Sequence, residues 1–175
     1  MNWPNRLSIL RVLCIPAIIL LLYLPAAWCR WAALGVFAFA SATDFLDGYL
    51  ARKNQWVTVF GKFIDPVADK LLVLSTLVML SSLGQMPGWT VVLILARELS
   101  VDGLRLVAMS RGSVIAAGPL GKIKTTSQML LILLLLAVNQ PVFSFPAGIA
   151  LGVWVCVITL WSGVDYFVRN HALLK

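Results

Sequence analysis

Charge is what this sequence has least of. Only 12% of its 175 residues are charged, while 61% are hydrophobic, and mean hydropathy is +0.93. A soluble domain is about half apolar and about a quarter charged. One soluble core is therefore excluded, and an integral membrane protein is implied. Histidine is nearly absent: the single copy, His171, stands close to the C-terminal end, which disfavours a histidine-based triad or zinc centre. The three cysteines, Cys14, Cys29 and Cys156, are odd in number, widely spaced and set in apolar surroundings. They lack redox or metal-ligand spacing and read as small buried hydrophobes. No low-complexity tract, internal repeat or soluble segment is evident, so residues 1–175 read as one all-α transmembrane domain.

The charge that is present is mostly positive, with a net charge of +7. The basic residues flank apolar segments and do not form a stripe with interleaved aromatics, as a nucleic-acid groove requires. Anionic lipid headgroups or phosphorylated substrates suit that placement better. A helix needs roughly 20 mostly apolar residues to cross a bilayer, and six stretches qualify: 7–27, 31–50, 67–83, 89–109, 120–138 and 146–168. Turn chemistry at Pro25, 84–88, 112–119 and 139–146 marks the joints. Arg6 and Arg11 ahead of the first run give it the outline of a signal peptide, and residues 24–29 have the outline of a lipoprotein cleavage site. Trp28 stands where a small residue should precede Cys29, and more apolar segments follow. The first run therefore reads as a retained anchor.

Lys and Arg also set the orientation. Arg6, Arg11, Arg52, Lys53, Lys62, Arg105, Arg111, Lys122, Lys124, Arg169 and Lys175 all fall on one side of a six-span arrangement. Arg30 alone lies in the joint between the first two spans, and the joints after the third and fifth carry no basic residue. Both termini should be cytoplasmic. In the segment Trp3-Pro4-Asn5-Arg6-Leu7-Ser8-Ile9-Leu10-Arg11, an interfacial anchor with snorkelling arginines competes with direct ligand contact by Asn5 or Arg11.

Four of the seven acidic residues, Asp44, Asp47, Asp65 and Asp69, crowd into one run. Asp44 and Asp47 are three apart and Asp65 and Asp69 four apart, so on helices each pair shares a face. Gly48, Ala51 and Gly61 place a small residue about one turn from each acid-bearing face, where helices or a ligand can approach the backbone. Pro66 disfavours helical geometry at Asp65 and predicts a kink or a helix start there. Four carboxylates beside hydrocarbon repel one another unless a cation lies between them. Pairing with Arg52, Lys53, Lys62 and Lys70 is one solution. A hard divalent metal is the other, and it fits four acids at this spacing better. Arg52 is then placed to meet a phosphate.

The pattern D-x-x-D-G-x-x-A-R-x8-G-x3-D-x3-D resembles the signature of the CDP-alcohol phosphotransferase family at all eight fixed positions. The resemblance implies six transmembrane helices in a homodimer with a cytosol-facing cavity. It implies that Asp44, Asp47, Asp65 and Asp69 hold two divalent cations, Mg2+ or Mn2+, on the diphosphate of a CDP-linked lipid. It further implies that Gly48, Ala51 and Gly61 let the cytidine lie close, with Arg52 clamping phosphates, and that Asp69 is the base for the acceptor hydroxyl. Two-metal neutralisation of a diphosphate and its leaving group is chemically consistent with this.

The acceptor must be read elsewhere. Arg97, Arg105, Lys122 and Lys124 form a second basic group around the fourth and fifth spans, and Arg97 and Arg105 are eight apart on roughly one helix face. Such a group suits a dianionic phosphate. Pairing inside the chain competes, because Glu98 is at hand and Asp102 can meet Arg105 at a spacing of three. The stretches R-E-L-x-V-D-G-L-R, L-G-K-I-K-T and P-N-R-L-S-I-L-R resemble the bacterial inner-membrane branch of the family. That branch transfers a phosphatidyl group from CDP-diacylglycerol to the 1-hydroxyl of sn-glycerol 3-phosphate and releases CMP. On that resemblance Arg105, Lys122 and Lys124, with Arg97, hold the acceptor phosphate, and Asn5 joins the CDP-lipid contacts. Inositol-phosphate and cardiolipin-type synthases are the rival acceptors within the family. A cation transporter is the rival outside it, disfavoured because the second half has no matching acidic pair.

Overall fold

The computed structural model describes residues 3–54, 59–112, 115 and 118–171, with side chains described for 7–43, 66–112, 115 and 118–171. Among the described residues the chain is entirely helical. The helices are α1 (Trp3–Tyr23), α2 (Ala27–Asn54), α3 (Val59–Ser82), α4 (Gly88–Ser110), α5 (Pro119–Val138) and α6 (Pro146–Arg169), with a 3-10 turn at Val142–Ser144 before α6.

The helix ends follow from residue chemistry. Pro119 and Pro146 occupy the first turns of α5 and α6, where the missing N–H would have had no partner and φ is already helical. Asn139 closes α5 with φ 57°, its N–H bonded to the Leu135 carbonyl. This is the left-handed cap that Asn tolerates better than most side chains. Two expectations shift. α2 begins at Ala27, not at residue 31, and α3 begins at Val59 with Pro66 inside it. Pro66 therefore does not start the helix. It forgoes one backbone bond while the helix runs on to either side, a loss that packed neighbours can offset in membrane-type helices.

The helices are apolar nearly all round. Ile18, Phe37, Leu72, Leu77, Leu80, Ile94, Leu131 and Leu135 form one buried core. Leu13, Leu20, Trp31, Val92, Leu99, Trp161 and Val164 face outward and are largely exposed. Helices with apolar side chains on both faces need a second apolar medium, as a bilayer provides. Among the described residues two helices, α5 and α6, are long and apolar enough to cross a membrane, and Leu7–Tyr23 forms a shorter apolar helix. α2, α3 and α4 carry charged residues within their length.

α1 packs on α2 and α3, α6 packs on α4 and α5, and α2 and α3 join the two groups through α5 and α4. This brings the C-terminal halves of α2, α4 and α6 together with the N-terminal halves of α3 and α5. The other end is tied by Arg30. Its guanidinium donates to the carbonyls of Leu136 (2.9 Å) and Leu135 (2.6 Å) and to Gln85 Oε1 (2.5 Å), and Gln85 Nε2 donates to Asn139 Oδ1 at 2.8 Å.

Candidate active site

Of the second basic group, Arg97 and Arg105 lie on α4 and Lys122 and Lys124 on α5, and α4 also carries Glu98 and Asp102. Glu98 is their hub. It is 5% exposed, and a carboxylate this deep beside apolar helices requires cations. Three converge on it. Buried Lys124 of α5 forms an ion pair with Oε1, Arg97 Nη1 lies 3.2 Å from the same oxygen, and Lys70 Nζ of α3 is 3.9 Å from Oε2. Lys70 is also ion-paired with Asp102. The competing pairing of Asp102 with Arg105 is therefore not the one formed among the described residues. Asp102 faces α3, while Arg105 turns toward α6, donating from Nε to the Tyr166 hydroxyl at 2.9 Å with its guanidinium 5.5 Å from the ring centroid.

These residues enclose an open cavity of about 500 Å3 lined by Lys70, Arg97, Arg105, Lys122 and Lys124, together with Glu98, Asp165 and Tyr166. All four cations singled out in the sequence meet in this one space. They are not equivalent. Arg97 and Lys124 share Glu98, so part of their charge is already answered. Among the described residues neither Arg105 nor Lys122 has a carboxylate partner, and Asp165 is engaged by Arg169 at 2.8 Å. Cations thus outnumber free carboxylates around the cavity, which suits an anionic group carrying more than one charge.

The adjoining acid site is seen through Asp69. Its carboxylate forms an ion pair with Arg11 Nη1 of α1, and the side-chain exposures of Arg11 and Asp69 are 0% and 28%. Arg11 is therefore no snorkelling interfacial anchor. It is buried, and it fixes a carboxylate whose chain neighbour, Lys70, lines the cation-rich cavity. Lys70 meets Glu98 and Asp102 across α4, which removes it from the cations that might have been spent on the acidic run.

The side chains of Asn5, Asp44, Asp47, Gly48, Ala51, Arg52, Gly61 and Asp65 lie outside the described residues, so three of the four metal-ligand candidates are not placed. Their backbones put Asp44 and Asp47 in the same helix, α2, and Asp65 and Asp69 in α3. Among the described residues no three His, Cys, Asp or Glu side chains come together as a metal site.

Arg11 and Tyr166 are the site residues that sequence reasoning missed or left open. Arg11 lies 58 positions from its carboxylate and Tyr166 lies 61 from Arg105, separations over which helical spacing carries no information. The only signal for Arg11 was a charge within an apolar segment, which is costly unless paired.

Comparison with known proteins gives a consistent result. The family model described as CDP-alcohol phosphatidyltransferase matches residues 1–161. Three full-length relatives carry the printed name CDP-diacylglycerol--glycerol-3-phosphate 3-phosphatidyltransferase. The one from Bacillus subtilis (strain 168) is 42% identical over 99% of this chain and 97% of its own. That from Pseudomonas fluorescens is 45% identical over 100% and 93%. That from Escherichia coli (strain K12) is 39% identical over 98% and 96%.

Proposed function

We propose that this chain, which belongs to the CDP-alcohol phosphatidyltransferase family, transfers the phosphatidyl group of CDP-diacylglycerol to the 1-hydroxyl of sn-glycerol 3-phosphate. The products are phosphatidylglycerophosphate and CMP. The observation that carries this reading is identity of 39% to 45% with relatives of that name over nearly the whole of both chains. The cavity agrees in its chemistry. A small dianionic acceptor needs a compact cationic pocket, and bidentate arginine suits a phosphate.

In this reading Arg105 and Lys122, the cations without carboxylate partners, take the acceptor phosphate first, and Lys124 and Arg97 close on it from the Glu98 side. Binding the phosphate there presents the far hydroxyl toward α3 and Asp69. The hydroxyl oxygen bonds to the lipid-side phosphorus, the bond from that phosphorus to the bridging oxygen breaks, and CMP leaves. The hydroxyl proton passes to the Asp69 carboxylate, whose orientation Arg11 holds. Most of the rate gain comes from this positioning and from charge stabilisation.

The carboxylates Asp44, Asp47, Asp65 and Asp69 form a donor set of the kind that hard divalent cations take, paired one turn apart on two helices. When bound, two such cations, Mg2+ or Mn2+, neutralise the diphosphate and the departing CMP. Asn5, Gly48, Ala51, Arg52 and Gly61 hold the CDP-lipid beside them. Six membrane spans in a single domain, homodimeric assembly in the bacterial inner membrane, and both termini on the cytoplasmic side with the active site complete the proposal. The distribution of Lys and Arg supports that orientation.

The test is CMP release by purified protein in detergent with CDP-diacylglycerol, Mg2+ or Mn2+, and glycerol 3-phosphate, inositol 1-phosphate, phosphatidylglycerol or no acceptor. Chelator-sensitive release specific to glycerol 3-phosphate is expected. Release with a different acceptor only would overturn the acceptor assignment.

A further inference from the structure

The sixth helix contributes more than a wall to the cavity. Arg97 leaves α4 and crosses the faces of two other helices at glycines. A Cβ built on Gly163 of α6 would lie 3.1 Å from Arg97 Cγ, and one on Gly121 of α5 would lie 3.9 Å from Arg97 Nη2. The second distance is ordinary contact. The first is tighter than packed side chains tolerate without a shift of the arginine stem. The contrast with other helical glycines is informative. Among the described residues, Gly35 of α2 and Gly103 of α4 have nothing within 4 Å of such a Cβ, so neither is required by space. Gly163 is buried, and among the described residues the only close neighbour its missing side chain spares is Arg97.

Among the described residues Arg97 is held at one point, Nη1 on Glu98, and its Nε is buried without a hydrogen-bond partner there. An arginine stem that is displaced at Cγ moves its guanidinium, because the planar head has no second internal anchor. We infer that Gly163 is a positioning residue for the acceptor pocket: by omitting a side chain it lets the Arg97 stem lie across α6, which sets how Arg97 addresses the acceptor phosphate. The inference rests on the acceptor reading given above. The residue acts through Arg97 and touches no reacting atom. It should therefore change acceptor affinity and leave both CDP-diacylglycerol affinity and the chemical step largely alone.

The experiment is a double-mutant cycle on the detergent-purified full chain, using Gly163→Ala, Arg97→Ala, the pair together, and Gly35→Ala as an open-space control. KM for glycerol 3-phosphate, KM for CDP-diacylglycerol and kcat are measured alongside thermal stability. Gly163→Ala is expected to raise KM for glycerol 3-phosphate by about fivefold, with the lipid KM and kcat within about twofold of wild type. Adding Gly163→Ala to Arg97→Ala is expected to change nothing further, since the side chain it displaces has gone. Should Gly163→Ala fail to fold, recovery of folded protein in the Arg97→Ala pair, with the KM of Arg97→Ala alone, also supports the inference. Additive effects on KM, equal loss for both substrates, or a double variant that still fails to fold would overturn it, because Gly163 would then serve helix packing. A wild-type protein that does not use glycerol 3-phosphate would instead sink the acceptor reading itself.

Discussion

The buried carboxylate of Glu98 offers the most direct test of how this charge-poor bundle is held together. Glu98→Gln keeps the shape of the side chain and one carbonyl oxygen but removes the charge that Lys124, Arg97 and Lys70 share. The three cations are not equally exposed to the loss. Lys70 keeps Asp102 as an ion-pair partner and is 29% exposed, whereas Lys124 is 4% exposed and among the described residues has only Glu98. The cost is therefore dominated by Lys124, left as an uncompensated buried ammonium. Breaking a buried pair by removing one partner costs about 3–5 kcal/mol. For a chain of this length that corresponds to a fall in Tm of about 6–20 °C.

Thermal unfolding of the purified protein in detergent reads this directly, and the cycle with Lys124→Met sharpens it. Adding Lys124→Met to Glu98→Gln removes the orphaned charge and should recover more than half of the lost Tm, because most of the cost of breaking a buried pair is the uncompensated charge left behind. A Glu98→Gln variant within about 2 °C of wild type would refute the reasoning. So would a double variant less stable than the single one. The rescued double variant also separates two roles for Lys124. A raised KM for glycerol 3-phosphate in a stable double variant would assign Lys124 to the acceptor. An unchanged KM would make it a counter-ion only.

Three shorter predictions follow from other parts of the molecule. Asp69→Asn should abolish CMP release and, because it takes the carboxylate from buried Arg11, should also lower the Tm; wild-type turnover would remove Asp69 from the role of base. Gly148→Ala would place a Cβ into the Val142 carbonyl oxygen and 2.7 Å from the Phe145 ring, so it should destabilise by about 1–3 kcal/mol; a Tm equal to that of Gly35→Ala would show that the 3-10 turn yields freely. Arg30→Ala strips donors from the carbonyls of Leu135 and Leu136 and from Gln85, and should cost about 1–3 kcal/mol with KM for glycerol 3-phosphate unchanged. A raised KM in that variant would contradict the separation of a structural end from a catalytic end.

The sequence exposes the six helices because each contains an apolar run that nothing soluble would carry, and their ends because proline and glycine chemistry is local. Of the kink or helix start expected at Pro66, the start lies at Val59 instead, because the one backbone bond that proline forgoes can be offset by packing on other helices, which spacing along α3 does not reveal. The cationic group around the fourth and fifth spans is legible as a group, since Arg97, Arg105, Lys122 and Lys124 do share one cavity. Its internal pairing is not. Helical spacing offers Asp102 to Arg105, but α3 presents Lys70 to Asp102 and α6 presents Tyr166 to Arg105, and neither partner can be found by counting along α4. The scarcity of charge limits what such errors can hide. The three carboxylates outside the acidic run, Glu98, Asp102 and Asp165, each hold at least one cation in the bundle. Once they are assigned, Arg105 and Lys122 remain in the cavity without a carboxylate among the described residues. In a chain with so little charge, cations left over at a cavity suit an anionic ligand, which is why the proposed acceptor site is placed on Arg105 and Lys122.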